Sequence, residues 1–293
     1  MKIAVYGPLF NERSKSTIQT LISYLKKREA HVVFENNFHA SIVSDSDIDL
    51  SAYVFDTFEV LDASYDLLIS IGGDGTILRA ITFVKDLEIP IVGINTGRLG
   101  FLATIPMNTI QKAMDEIFEG NYRISKRSLL SIKLDAENTA LDLDFALNEI
   151  AVSRKNTTSM ISVETWLDKE YLTSYWADGL IVSTPTGSTG YSLSCGGPVI
   201  IPESDSLVLT PIAPHNLNAR PLVISSDKVI KLKVSGREDQ HLVSLDSRIN
   251  TLENNTTITI QKASFYIHMI ELKEDGFLET LRKKLLWGAD PRN

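Results

Sequence analysis

The stretch Asp66-Leu67-Leu68-Ile69-Ser70-Ile71-Gly72-Gly73-Asp74-Gly75-Thr76-Ile77-Leu78-Arg79 constrains the fold of this chain more than any other. An apolar run too short for a helix feeds three glycines around one acid, and Ile77, Leu78, Ala80 and Ile81 then take helical spacing. The expectation is a strand, a tight turn and a helix. Glycines let backbone N–H groups come close to a ligand, and a helix N-terminus favours an anion there. An acid in such a turn would repel a phosphate unless it has a task. Holding a metal and taking a proton from an attacking hydroxyl are two such tasks, and capping the helix is the ordinary alternative.

At 293 residues the chain exceeds one average domain, so two domains of about 130 to 150 residues are expected. Ile3 to Tyr6 reads as a strand, Ser14 to Ala30 as an amphipathic helix and His31 to Glu35 as a second strand, a βαβ opening. From Asn36 to Ala63 the pattern loses its period and becomes polar. Ile89 to Ile94 is another short strand and runs into Asn95-Thr96-Gly97-Arg98-Leu99-Gly100-Phe101-Leu102, a second glycine turn at a strand's carboxyl end, where open α/β sheets bind ligands. Ile110 to Gly120 reads as a helix with Gly120 as its stop. Beyond Tyr122 strands follow at close spacing: Leu129 to Leu134, Phe145 to Val152, Ser162 to Leu167, Leu180 to Ser183, Leu222 to Ile224, Val229 to Val234, His241 to Leu245 and Thr256 to Gln261. Phe277 to Trp287 returns to helical spacing, closed by Gly288. The expected division is residues 1–121 as an α/β domain, 122–271 as a β-rich domain, and 272–293 as a helix packing back on the first.

The net charge of −8 argues against an extended nucleic-acid or anionic-membrane surface, because both need a basic face. A phosphate-bearing substrate must therefore be held by local donors or a cation. Cys195 is the only cysteine, which excludes an internal disulfide and a zinc site built from several thiolates. No signal peptide and no apolar run of about 18 residues is visible, so a cytoplasmic protein with no membrane contact is expected.

The second dense stretch is Trp176-Ala177-Asp178-Gly179 through Cys195-Gly196-Gly197-Pro198. Thr186, Ser188, Thr189, Tyr191, Ser192 and Ser194 place neutral donors and acceptors in one turn and short helix, with Ser188 near its N-cap. That chemistry suits base edges and ribose hydroxyls. Asn148-Glu149 pairs an amide able to read a base with an acid able to hold a ribose diol or a magnesium ion. There is no P-loop, no dinucleotide fingerprint after a strand, no protein-kinase signature and no nucleophile elbow. His31, His39, His215, His241 and His268 are scattered without metal-ligand spacing.

Taken together, these segments resemble the NAD kinases. The Gly72-Gly73-Asp74-Gly75-Thr76 turn is shared with diacylglycerol and sphingosine kinases and names a superfamily only. Gly93 to Leu102, Asn148-Glu149, Asp178 to Pro198, Pro214-His215-Asn216-Leu217 and Arg220-Pro221-Leu222 are more selective and occur in that family's order. The resemblance implies α/β plus all-β architecture: a Rossmann-like N-terminal domain and a β-sandwich-like C-terminal domain. It implies transfer of a phosphoryl group from ATP, or polyphosphate, to the 2′-hydroxyl of the adenosine ribose of NAD, with Mg²⁺ or another divalent cation and no metal fixed by protein ligands alone. Homodimers or homotetramers are the implied assemblies. By the same resemblance Asp74 is the proton acceptor, and Gly73, Gly75, Asn148, Glu149, Asp178, Thr186, Thr189, Gly190, Tyr191, Ser192, Leu193 and Ser194 hold nucleotide, with Arg79 a candidate phosphate contact. Three places depart from the family pattern: Asp246-Ser247-Arg248 stands where Asp-Gly-Gln is common, Cys195 where alanine is common, and Trp176 where a basic residue often sits. A lipid kinase of the same superfamily and a non-catalytic NAD sensor are the competing readings. The first would need an apolar surface for acyl chains, and the second predicts NAD binding without NADP formation.

Overall fold

The computed structural model describes residues 1–8, 12–44, 55–135, 141–156, 159–273 and 276–286. Its contacts separate two compact units, Met1–Lys126 with the chain from Ile267 onward, and Arg127–Tyr266.

In the first unit, Lys2–Tyr6, His31–Glu35, Asp56–Phe58, Leu67–Gly72 and Ile91–Asn95 form a parallel sheet. Its order places Leu67–Gly72 between Lys2–Tyr6 and Ile91–Asn95, and Met269, near the end of the long strand Thr257–Leu272, pairs with Ile91. Leu67–Gly72 and Ile91–Asn95 are buried at every position, as strands covered on both faces must be. Ile18, Leu21 and Leu25 of helix Glu12–Lys27 and Ile110, Met114 and Ile117 of helix Ile110–Phe118 pack into one core with Ile3, Val5, Leu67, Ile69 and Ile94. Each such side chain contributes about 1.5–3 kcal/mol through burial.

The polar stretch after Glu35 contains a short helix, Asn36–Val43, where the sequence pattern gave none. Two buried residues four apart, Phe38 and Ile42, hold it, and the Glu35 carboxylate caps it by accepting from Phe38 N at 2.8 Å. Eight residues are too few for a period to register. Residues 45–54, the middle of that polar stretch, lie outside the described residues, as do Trp287 and Gly288; the last described helix is Phe277–Leu285.

The second unit is two antiparallel sheets. One carries Glu170–Ala177, Ile161–Leu167, Ile230–Gly236 and the first part of Thr257–Leu272; the other runs Leu222–Ser225, Ser206–Ile212, Gly179–Ser183, Glu149–Arg154, Gln240–Leu245 and Arg248–Glu253. Alternating strands such as Ile161–Leu167 and Gln240–Leu245 turn one face inward. Val163, Leu232 and Ile258 from the first sheet share a core with Val152, Leu180, Leu209 and Val243 from the second, so the unit is a β-sandwich.

Candidate active site

In the parallel sheet Gly72 pairs with Asn95, and this register sets the two glycine turns side by side at the carboxyl edge. Helix Asp74–Val84 starts at the acid itself, with Gly73 as the cap residue, so Asp74 is not the cap. Its carboxylate reaches across to the other turn. Oδ2 accepts from Phe101 N at 2.8 Å, and Oδ1 accepts from Leu102 N and Ala103 N, both at 3.0 Å. Asn95 shapes that turn: its amide donates to Arg98 O at 2.7 Å and to Ala103 O at 3.2 Å, while its Oδ1 accepts from Gly97 N at 2.7 Å. Gly100 is obligatory here, because a Cβ would stand 1.8 Å from Asp74 Oδ1. A carboxylate offers about four acceptor sites. Three are taken, and the remaining one is on Oδ2.

Gly73 and Gly75 border Asp74 with open space where a Cβ would stand. Arg79 is exposed, and its guanidinium hydrogen-bonds the Tyr6 hydroxyl.

In the sandwich three strand ends meet. Glu149–Arg154 begins where its neighbours Gly179–Ser183 and Gln240–Leu245 finish, as the pairs Glu149 with Ser183 and Ile150 with Leu245 show. Asn148-Glu149, the Thr184–Tyr191 turn and Asp246 are thereby brought to one corner. Thr184 Oγ1 donates to Leu147 O at 2.6 Å, Thr184 N donates to Asn148 O at 2.9 Å, and a Cβ on Gly187 would be 2.0 Å from that same carbonyl. Gly190 faces Glu149 Oε2 and the Asn148 amide at 3.2 and 3.6 Å from its would-be Cβ. Asn148 Oδ1, Glu149 Oε2 and Thr186 Oγ1 are buried there with no hydrogen-bond partner. Buried polar atoms are rarely left so, and here three of them share one corner.

Asp246 is the residue that sequence reasoning left without a role. Its side chain is 1% exposed; Oδ1 accepts from Asn148 N at 2.8 Å and Glu149 N at 3.3 Å, and Oδ2 from Leu147 N at 3.0 Å. It sits at φ 53° in the turn between two paired strands, and its own N–H donates to Glu149 O at 2.9 Å. Arg248 lies 3.6 Å from Asp246, donates to Phe145 O and covers the Phe145 ring. Burial, then the Asp246 charge, push Glu149 up to about 8, against the pull of the Tyr191 N–H. Burial also raises Asp246, but three N–H groups and Arg248 oppose it. Glu149 therefore favours its protonated form at neutral pH.

The other sequence-nominated residues divide. Ser192 Oγ is spent on Thr210 Oγ1 at 2.8 Å inside the sandwich, and Thr189 Oγ1 on Thr186 O at 3.2 Å. Ser188 caps no helix; it donates to Pro185 O at 2.7 Å and accepts from Ile200 N at 2.9 Å, closing the turn on itself. Tyr191 and Ser194 are exposed, and Leu193 is half-buried. Asp178 is at the opposite end of the strand pair from Glu149, about 15 Å along the strand, ion-paired to Arg154 at 3.0 Å. There it borders a cavity of about 630 Å³ with Trp176, His215 and Arg237. The Tyr191 hydroxyl is raised by burial first, then by Cys195, Asp178 and Glu149, so it feels both acids.

Over its whole length the chain is 58% identical to the NAD kinase of Christiangramia forsetii, covering 100% of each. The chain belongs to the NAD kinase family. Models of the ATP-NAD kinase N-terminal and C-terminal domains match residues 9–122 and 147–272. The NAD kinase of Bacteroides fragilis is 41% identical over 292 residues, again with full coverage of both chains. Among solved structures, an Archaeoglobus fulgidus NAD kinase in complex with ATP superposes with a TM-score of 0.74 at 27% identity, covering 97% of each chain. A yeast NADH kinase complexed with NADH gives a TM-score of 0.88 at 23% identity, covering 99% of this chain and 89% of that one, a likeness of fold. The parallel-sheet unit and the sandwich unit are thus each a domain of NAD kinase type.

Proposed function

We propose that this chain phosphorylates the 2′-hydroxyl of the adenosine ribose of NAD with the γ-phosphoryl group of ATP, giving NADP. The observation that carries this reading is the Asp74 carboxylate, fixed by three backbone N–H groups with one acceptor site left over. A hydroxyl bound to that site is aligned and loses its proton to Oδ2 as its oxygen attacks phosphorus, and the bond from phosphorus to the donor's bridging oxygen breaks. Positioning does most of the work in such a transfer. The buried, unpartnered atoms of Asn148, Glu149 and Thr186 are the acceptors and donors we assign to the nucleotide, with Gly190, Tyr191 and Leu193 shaping the wall beside them and Asp178 a second anchor.

Among the described residues no three His, Cys, Asp or Glu side chains stand close enough together to ligate a metal. A divalent cation would enter on the phosphates of the donor and offset their charge. No helix among the described residues is long and apolar enough to cross a membrane. We further propose a cytoplasmic homodimer or homotetramer, on the family resemblance alone.

A coupled assay for NADPH tests the reading: purified chain with NAD and ATP is expected to form NADP, and polyphosphate and NADH are offered in parallel. Saturable NAD binding with no NADP from any donor would leave a sensor and overturn it.

A further inference from the structure

The helix Phe277–Leu285 brings a cation to the Asp74 corner of the first unit. Its last turn is basic, with Arg282, Lys283 and Lys284. Lys283 is held by Glu279 at 2.6 Å, whereas Lys284 Nζ stands 3.7 Å from Asp74 Oδ2. The same ammonium lies 4.6 Å from the centroid of the Phe101 ring, and that ring meets Phe277 at 6.1 Å. Phe101 therefore supports the lysine with its ring and the acid with its N–H, which also serves Oδ2.

Oδ1 has both acceptor sites filled, so a reacting hydroxyl must come to Oδ2, the oxygen that faces Lys284. The phosphoryl group that this hydroxyl receives is bonded to the same oxygen, within a few ångströms of the carboxylate that Lys284 faces. Lys284 is one-third exposed on a flexible stem, so its head can leave the carboxylate without unpacking the helix. Arg79, the cation suggested by the sequence, spends one of its donors on the Tyr6 hydroxyl.

We propose that Lys284 is a catalytic residue of the phosphoryl transfer, its ammonium passing from Asp74 to the transferring phosphoryl oxygens and stabilising the charge they carry. This rests on the kinase reading above. The nucleophile's oxygen bonds to phosphorus, the bridging P–O bond breaks with its electron pair going to the departing ADP, the proton goes to Asp74, and Lys284 stays protonated throughout. An acidic protein thereby supplies local positive charge from a residue about 200 positions away in the chain.

The test uses the full chain with steady-state NADP formation and thermal melting. Lys284→Gln is expected to lower kcat by about 10²- to 10³-fold, the loss typical of one transition-state donor, while KM for NAD changes less than about threefold. Lys284→Arg is expected to regain at least about tenfold of that loss. Phe277→Leu trims the helix's aromatic contact and leaves the ammonium in place, so it is expected to keep kcat within about threefold of the parent. The proposal is overturned if Lys284→Gln keeps kcat within about twofold, if Phe277→Leu falls as far as Lys284→Gln, or if Lys284→Arg regains nothing while melting like the parent. A parent chain that forms no NADP would instead sink the kinase reading itself.

Discussion

Asp246 and Glu149 hold each other through backbone groups: the Asp246 carboxylate gathers the N–H groups of Leu147, Asn148 and Glu149, and the Asp246 N–H returns to the Glu149 carbonyl. One acid is thus a clamp that sets where the other points. Removing the clamp leaves three buried donors unpaired, each worth about 1–3 kcal/mol. Asp246→Ala is expected to raise KM for NAD by about tenfold or more and to lower the melting temperature. Asp246→Asn, which keeps one accepting oxygen, should fall between the two. An Ala variant with unchanged KM would show that the corner does not position the nucleotide.

Glu149 makes stability depend on pH in a defined direction. Folding raises its pKa from 4.5 to about 8, so the native state favours the protonated form. The resulting stabilisation is complete below pH 4.5 and is lost as pH rises through about 8. Glu149→Gln cannot ionise and lacks this loss. Between pH 4.5 and 8 the melting temperature of the parent is expected to fall relative to the Gln variant; a constant gap across the range would mean that Glu149 is charged in the native state.

For Asp74, the expected signature separates chemistry from binding. Asp74→Asn keeps an oxygen for the N–H groups of the neighbouring turn but no longer takes a proton. A loss of about 10²- to 10⁴-fold in kcat, with KM for NAD nearly unchanged, is expected in NADP-formation kinetics. Near-normal turnover would remove Asp74 from the proton-accepting role.

Two glycines give opposite outcomes on alanine substitution. At Gly75 a Cβ meets nothing in the protein, and the position is helical, so stability should hold or rise by up to about 1 kcal/mol. Activity should nonetheless fall, because only a ligand needs that space. At Gly187 the Cβ would lie 2.0 Å from the Asn148 carbonyl, a backbone atom, so folding itself should suffer. Full activity in Gly75→Ala would place the substrates elsewhere; an undisturbed melting temperature in Gly187→Ala would contradict the packing of the corner.

What the sequence made legible were features with local cause. Apolar runs such as Leu67–Gly72, and helix periods such as Ile110–Phe118, report their own burial. Ser206–Ile212 escaped notice because Pro211 breaks an otherwise apolar strand, and Arg248–Glu253 because it carries charge at both ends. At the site, Asp74 was visible from its glycines, but its partners at Phe101 to Ala103 depend on the pairing of Gly72 with Asn95. The purpose of Asp246 needed the strand register that carries it to Asn148-Glu149, about a hundred residues away. The fate of hydroxyls was the least readable: nothing in the spacing tells that Ser192 turns inward to Thr210 while Thr186 remains unpartnered.

The strand Thr257–Leu272 and the helix after it have a temporal meaning as well as a spatial one. Translation reaches Ile91 long before Met269, so a nascent chain carries a parallel sheet in which Ile91 still lacks its outer partner and Asp74 still lacks Lys284. The later-made strand Thr257–Leu272 and helix Phe277–Leu285 supply both. The sheet strand and the acid thus take these partners from chain made well after they are.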